Sequence, residues 1–170
     1  WHARRMSTAD LQLRPGTPHD DVVIARLFRQ MWLDNDVAAD RIVDDAAERV
    51  TAFLDDGRRR HGLQTVLAVD GDDVVGGAVC QEFAGLYPNI LKDEQRKYGY
   101  IWGVYVDENA RKQGLGRRLT QHCVDTLTAM GCSHAILHAA PMGVNVYKAM
   151  GFVPNNEMRL LLRGLQKTSS

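Results

Sequence analysis

The run YVDENARKQGLGRRLTQH (residues 105–122) carries an apolar, β-branched segment straight into a helical pattern through two glycines set one residue apart. Leu115, Leu119, Cys123, Leu127 and Met130 keep a helical spacing until Gly131, so the glycines stand where a strand gives way to a helix. Arg111, Lys112, Arg117 and Arg118 surround them. Glycine removes a Cβ, which lets the backbone approach a ligand closely and take dihedrals that other residues avoid. The N–H groups of residues 112–117 can then converge at the positive end of a helix dipole, an arrangement that suits a diphosphate. An ordinary basic turn at a helix start satisfies the same residues, and both readings stand at this point.

Elsewhere helical and strand periods alternate. LQLR (11–14) predicts a short strand closed by Pro15-Gly16, and Thr17-Pro18 predicts an N-cap followed by proline in the first turn. Ile24, Leu27, Phe28, Met31 and Trp32 fall on one helical face. Asp36 is expected to cap a second helix that carries Ile42, Val43, Ala46, Val50, Phe53 and Leu54 and ends at Gly57, with Asp40, Asp44, Asp45 and Glu48 on its wet side. LQTVLAVD (63–70) and DVVGGAVCQEF (73–83) predict a hairpin about Asp70-Gly71. Gly76-Gly77 marks a bulge or a close backbone approach. A polar connection (84–97) leads to a further strand, YGYIWGVYVD (98–107). After the glycine loop and its helix come a buried strand (134–139), a short helix (142–150) stopped by Gly151, and a closing strand (152–163). This order specifies a single α/β domain with a mixed, largely antiparallel sheet flanked by helices. The domain is expected over 9–165, with tails at 1–8 and 166–170; Met6 reads as a native start, which leaves residues 1–5 as remnants of expression.

Composition narrows the function. Lys+Arg and Asp+Glu are equal at 21 each, so no global field points to nucleic acid. No apolar run approaches the ~18–20 residues that cross a bilayer, and the N-terminus lacks the apolar core of a signal peptide. Three cysteines (Cys80, Cys123 and Cys132) without CxxC spacing argue against a disulfide framework or a zinc site and for a reducing, cytoplasmic setting. Among glycine loops, the P-loop is excluded because no Gly-Lys-Ser/Thr occurs, and a dinucleotide fingerprint would need glycine where Leu119 stands. The pattern met is Q/R-x-x-G-x-G/A, by Arg111-Lys112-Gln113-Gly114-Leu115-Gly116.

Downstream, Tyr147-Lys148-Ala149-Met150-Gly151-Phe152 supplies Y-x-x-x-G-F. With WGVYVDENARKQGLGRRL and AILHAAPMGVNVYKAMGF in this order, residues 9–163 resemble the GNAT superfamily of acyl-CoA-dependent N-acyltransferases. Relatives often carry Ser or Asn where this chain has Ala140.

The resemblance implies that acetyl-CoA, the co-substrate, lies between two splayed strands, here Trp102–Val106 and Ala135–Ala139. Val104 and Val106 would pair with its pantetheine through their backbones, and an N–H near Tyr105 would act as an oxyanion hole. Arg111, Lys112, Gln113, Gly114, Leu115, Gly116 and Arg117 would hold its diphosphate. Tyr147 occupies the position of the family's proton donor. The base is open between Glu82, near the end of the third strand, His138, beside the cleft, and a water chain or another residue. Acceptor choice in the family comes from the first two helices and the connection after the third strand, here Trp32, an acidic helix and FAGLYPNI (83–90). The expected partner is a small-molecule or peptide amine, with no nucleic acid, no membrane and no metal, handled by a monomer or homodimer. A catalytically inactive acyl-CoA sensor and a nucleotide-binding module are the rival readings.

Overall fold

Strand alternation and helix periodicity produce a sheet with helices on both faces. Among the described residues, five strands lie in the order β1-β2-β3-β4-β5. β1 (Leu11–Pro15), β2 (Gln64–Asp70), β3 (Asp73–Glu82) and β4 (Tyr98–Val106) pair antiparallel, and β5 (His134–Leu137) runs parallel to β4. The computed structural model describes residues 11–162. The expected tails at 1–8 and 166–170, together with residues 9, 10 and 163–165, lie outside the described residues.

The two faces bury different residues. Helices α1 (Asp21–Asp34) and α2 (Ala46–His61) cover one face, where Ile24, Leu54 and Leu63 meet Leu67, Val79 and Trp102. A four-residue α3 (Asp93–Arg96) interrupts the connection to β4. Helix α4 (Leu115–Ala129) covers the opposite face, where Leu115, Leu119, Cys123 and Leu127 meet Val66, Ala68, Ala78, Cys80 and Ile101. Short α5 (Val144–Ala149) lies beside α4. Cys80 and Cys123 are buried and free, and Cys132 is half-buried and free.

Four local expectations need correction. Asp36 caps no helix: its φ is +63, a single 3-10 turn (Ala39–Arg41) follows, and α2 begins at Ala46. Nor does Gly57 end α2, which continues to His61 and stops at Gly62 in the left-handed conformation (φ +58). Gly57 is instead a contact glycine, since a Cβ there would lie 2.5 Å from Leu63 Cδ1. The extra turn places Arg58, Arg59, Arg60 and His61 at the negative end of the helix, and Arg58 reaches back to Asp21 of α1 at 2.8 and 2.5 Å.

The polar connection is not wholly irregular, because α3 forms within it. Finally, no closing strand forms over the described residues after Phe152. Met158, Leu160, Leu161 and Leu162 are all exposed there. Pro154 offers no N–H to a ladder, and the free edge of β5 is only four residues long.

Candidate active site

β4 and β5 part after four rungs. Their parallel ladder runs from Tyr98↔His134 to Ile101↔Leu137, while β4 continues alone on that side to Val106. The gap therefore opens between Trp102 and His138, three residues later along the second strand than expected at Ala135. A bulge sharpens the divergence: Gly77 faces Tyr105 and Val79 faces Trp102, so β4 takes three steps where β3 takes two. Gly103, at φ +62, supplies the left-handed residue this requires. Gly76 is the close approach its sequence suggests, since a Cβ there would lie 2.8 Å from the Tyr105 carbonyl oxygen.

Backbone direction decides which amides can serve the gap. The Asp107 N–H donates to Val75 O on β3 at 2.8 Å. Alternation along the strand then turns the amides of Val104 and Val106 to the opposite edge, toward the gap, and that of Tyr105 toward β3. The Tyr105 side chain also leaves the gap, its hydroxyl donating to Asp34 Oδ2 at 2.8 Å. Burial, then this contact, push the phenol up to about 12. Of the N–H groups near Tyr105, that of Tyr105 itself is thus turned from the gap, and those of Val104 and Val106 face it.

The loop into α4 is built to leave donors unpaired. A 3-10 turn (Glu108–Ala110) leads to Lys112 at φ +62 and then to Gly114 at φ +74, the N-cap of α4. Ala110 N–H donates to Asp107 O, Arg111 N–H to Glu108 O and Arg118 N–H to Gly114 O. Between them, the N–H groups of residues 112–117 meet no acceptor among the described residues, and no side chain caps the helix or places an acid in its first turn. A Cβ at Gly116 would meet nothing within 4 Å, so the folded chain itself does not demand glycine there. Six unpaired amides beside an uncrowded glycine fit a diphosphate.

The cations around the loop divide. Arg111 pairs with Asp34, donates from Nε to Val106 O at 2.9 Å and lies over the Tyr105 ring, so its side chain is turned from the loop mouth. Arg118 donates to Leu11 O at 3.1 and 3.2 Å. Lys112 and Arg117 are exposed and make no ion pair among the described residues. Leu115 is buried in the α4-side core, so its part here is its amide, and Gln113 is half-buried.

The candidate proton-transfer groups stand on opposite faces. Tyr147, on α5, packs its ring edge-on against Phe152 at 5.9 Å. Burial raises its phenol, with a smaller push from Cys123 of α4, which places it on the α4 side. His138 follows the last rung of β5 and contacts Tyr100 and Glu157 on the α1/α2 side. Glu82, the other candidate base, is turned away from His138. Val79 faces α1/α2 and Cys80 faces α4, so Glu82 faces α4, where its partner is Lys97 at 3.9 Å.

The α1/α2 side beyond the helices is aromatic. Trp102 receives Phe28 and Phe53 edge-to-face at 5.3 and 5.5 Å and donates to Gln81 Oε1 at 3.2 Å. Farther along, Phe83, Leu86, Tyr87 and Tyr98 line a shallow recess, where the Arg96 guanidinium sits 4.7 Å from the Tyr87 ring and 4.8 Å from the Tyr98 ring. Tyr100, Glu157, Asp34 and Arg96 carry no motif. Only Gly103, a glycine inside a strand pattern, gave a usable signal.

A profile described as the acetyltransferase (GNAT) family matches residues 25–152. The chain belongs to the GNAT family. No curated protein matches it in a sequence search. Among solved structures, a GCN5-related N-acetyltransferase from Ralstonia eutropha JMP134 is 25% identical, with 91% of this chain and 99% of that one aligned at a TM-score of 0.75. A predicted acetyltransferase with acetyl-CoA from Clostridium acetobutylicum shares the GNAT fold at 18% identity, 94% and 99% coverage and a TM-score of 0.77. An aminoglycoside acetyltransferase from an uncultured soil metagenomic sample, in complex with trehalose, is 17% identical over 93% of this chain and 98% of that one, TM-score 0.66. None of the described helices is long and apolar enough to cross a membrane.

Proposed function

We propose that this GNAT protein transfers an acetyl group from acetyl-CoA to a primary amine of a small molecule or peptide, by direct attack of the neutral amine. The observation that carries the reading is the row of acceptor-free amides at residues 112–117. Acetyl-CoA, when bound, supplies an acyl group activated as a thioester.

Residues 112–117 bind the diphosphate, with Lys112 and Arg117 adding charge that the diphosphate shares with solvent. The gap-facing amides of Val104 and Val106 orient the chain that follows and donate to the carbonyl oxygen as it gains charge. His138 serves the amine side, where a proton must leave an acceptor of ordinary pKa near ~10. Tyr147 serves the thiol side, and a phenol raised by burial keeps its proton until a stronger base forms beside it. The aromatic recess around Phe83, Tyr87 and Tyr98 favours an amine carried on a partly apolar molecule. A single catalytic domain over 9–165, working in the cytoplasm as a monomer or homodimer, completes the proposal.

The test is a thiol-release screen of acetyl-, propionyl- and succinyl-CoA against mixed amines. Release that depends on both acyl-CoA and amine is expected. Binding of acetyl-CoA without release under any amine would instead make the protein an acyl-CoA sensor.

A further inference from the structure

Both ring nitrogens of His138 are engaged. The Tyr100 hydroxyl lies 2.7 Å from Nδ1, and Glu157 Oε2 lies 2.6 Å from Nε2. A carboxylate can only accept, so Nε2 carries a proton; in the neutral ring Nδ1 then has the lone pair and accepts from the Tyr100 O–H. No imidazole lone pair is left for an incoming amine. The Tyr100 oxygen does keep lone pairs, and it is held where the strands part. Tyr100 stands one residue before the last rung, and its hydroxyl reaches the first residue beyond that rung. The Phe83 ring lies 5.9 Å from its own, which places Tyr100 next to the aromatic recess.

We propose that Tyr100 is the catalytic residue that receives the acceptor's proton, with His138 behind it and Glu157 as the positioning residue. The proposal rests on the acetyl-transfer reading above. As the amine nitrogen bonds to the acyl carbon, the carbon–sulfur bond of the thioester breaks and the thiolate leaves with the proton of Tyr147. The nitrogen's N–H bond breaks and that proton passes to Tyr100 Oη. Tyr100's own proton passes to His138 Nδ1, and the Glu157 carboxylate balances the imidazolium that results. Nothing is oxidised or reduced. Burial, with the Glu157 charge adding to it, raises the Tyr100 phenol, so Tyr100 needs the imidazole to take its proton.

The groups facing His138 among the described residues are Tyr100 from β4 and Glu157 from the segment after α5. His134, four residues back on β5, is hydrogen-bonded to Ser133 and packs at a tilt against Tyr98. The side chains of His138 and Glu157 are 63% and 65% exposed, so their contact adds little to folding. Removing the charge at 157 therefore reports on chemistry rather than on stability.

The experiment joins steady-state kinetics with nitrogen NMR of labelled histidine, on wild type, Tyr100→Phe and Glu157→Gln. Wild-type His138 should be the Nε2–H tautomer, and Glu157→Gln should weaken that preference. Tyr100→Phe should lose about 100-fold in kcat with its Kd for acetyl-CoA unchanged. Glu157→Gln should lose about tenfold in kcat, with its Kd for acetyl-CoA unchanged. If Tyr100→Phe fails to fold, Glu157→Gln on its exposed segment carries the test alone. A Tyr100→Phe enzyme at wild-type rate, a wild-type Nδ1–H tautomer or a Glu157→Gln enzyme at wild-type rate would overturn the relay and leave acetyl transfer in place. A wild type that binds acetyl-CoA but releases no thiol with any amine would overturn both.

Discussion

Asp34, the last residue of α1, forms an ion pair with Arg111, 77 positions away in the loop that leads to α4. The same carboxylate receives the Tyr105 hydroxyl, so one acid joins the end of α1 to the end of β4 and to the candidate diphosphate loop. Hydrogen bonds from Gln30, then Arg111 and Tyr105, hold its pKa below the ordinary carboxylate value. A depressed carboxylate adds stability that is fully present above the unfolded pKa, about 4, and is lost as pH falls through the folded value. Asp34→Asn should therefore cost about 1–3 kcal/mol at pH 7, and the gap from wild type should narrow below about pH 4. Urea denaturation at several pH values measures both.

Gly114 and Gly116 should respond differently to alanine. Gly114 sits at φ +74, so Gly114→Ala should lose about 1 kcal/mol of stability from backbone strain. Gly116 has helical neighbours and open space around its Cβ position, so Gly116→Ala should fold at least as stably as wild type. It should nonetheless bind acetyl-CoA more weakly, because the added methyl enters the space a diphosphate would take. Thermal melts paired with calorimetry separate the two effects.

Tyr147→Phe keeps the ring against Phe152 and removes the hydroxyl. Turnover should fall about 100-fold, while the Kd for acetyl-CoA stays within about twofold of wild type. Equal turnover would remove Tyr147 from the chemistry.

Gly99 is a packing test of the α4 face. A Cβ there would lie 2.5 Å from Leu127 Cδ2 and 2.6 Å from Cδ1, and Leu127 is itself buried. Gly99→Ala should destabilise by about 1–3 kcal/mol, the usual cost of an overfilled core. Denaturant midpoints check it.

What the sequence made legible is local. The Gly114–Gly116 loop, the Asp70-Gly71 hairpin and the period of α4 are each written within a few consecutive residues, where spacing and turn chemistry decide the outcome. Features set by distant partners were hidden. Arg111 looks like a phosphate ligand until Asp34, far upstream, takes it. Glu82 reads as a cleft residue because its face depends on register, and a single bulge inverts every side chain beyond it. Gly57 looks like a helix stop, yet Leu63 explains it and the arginines that follow are good helix formers. Glu157 lies in a segment whose apolar residues predict a strand, although Pro154 and the short edge of β5 leave it without a ladder.

The central claim is that the amides of residues 112–117 are a diphosphate site. Amide-resolved NMR of the full chain, titrated with CoA, tests it most directly. The account predicts the largest shift changes at the N–H signals of residues 112–117, with Gly114 and Gly116 among them. Saturable binding that left those signals in place and moved others would contradict it.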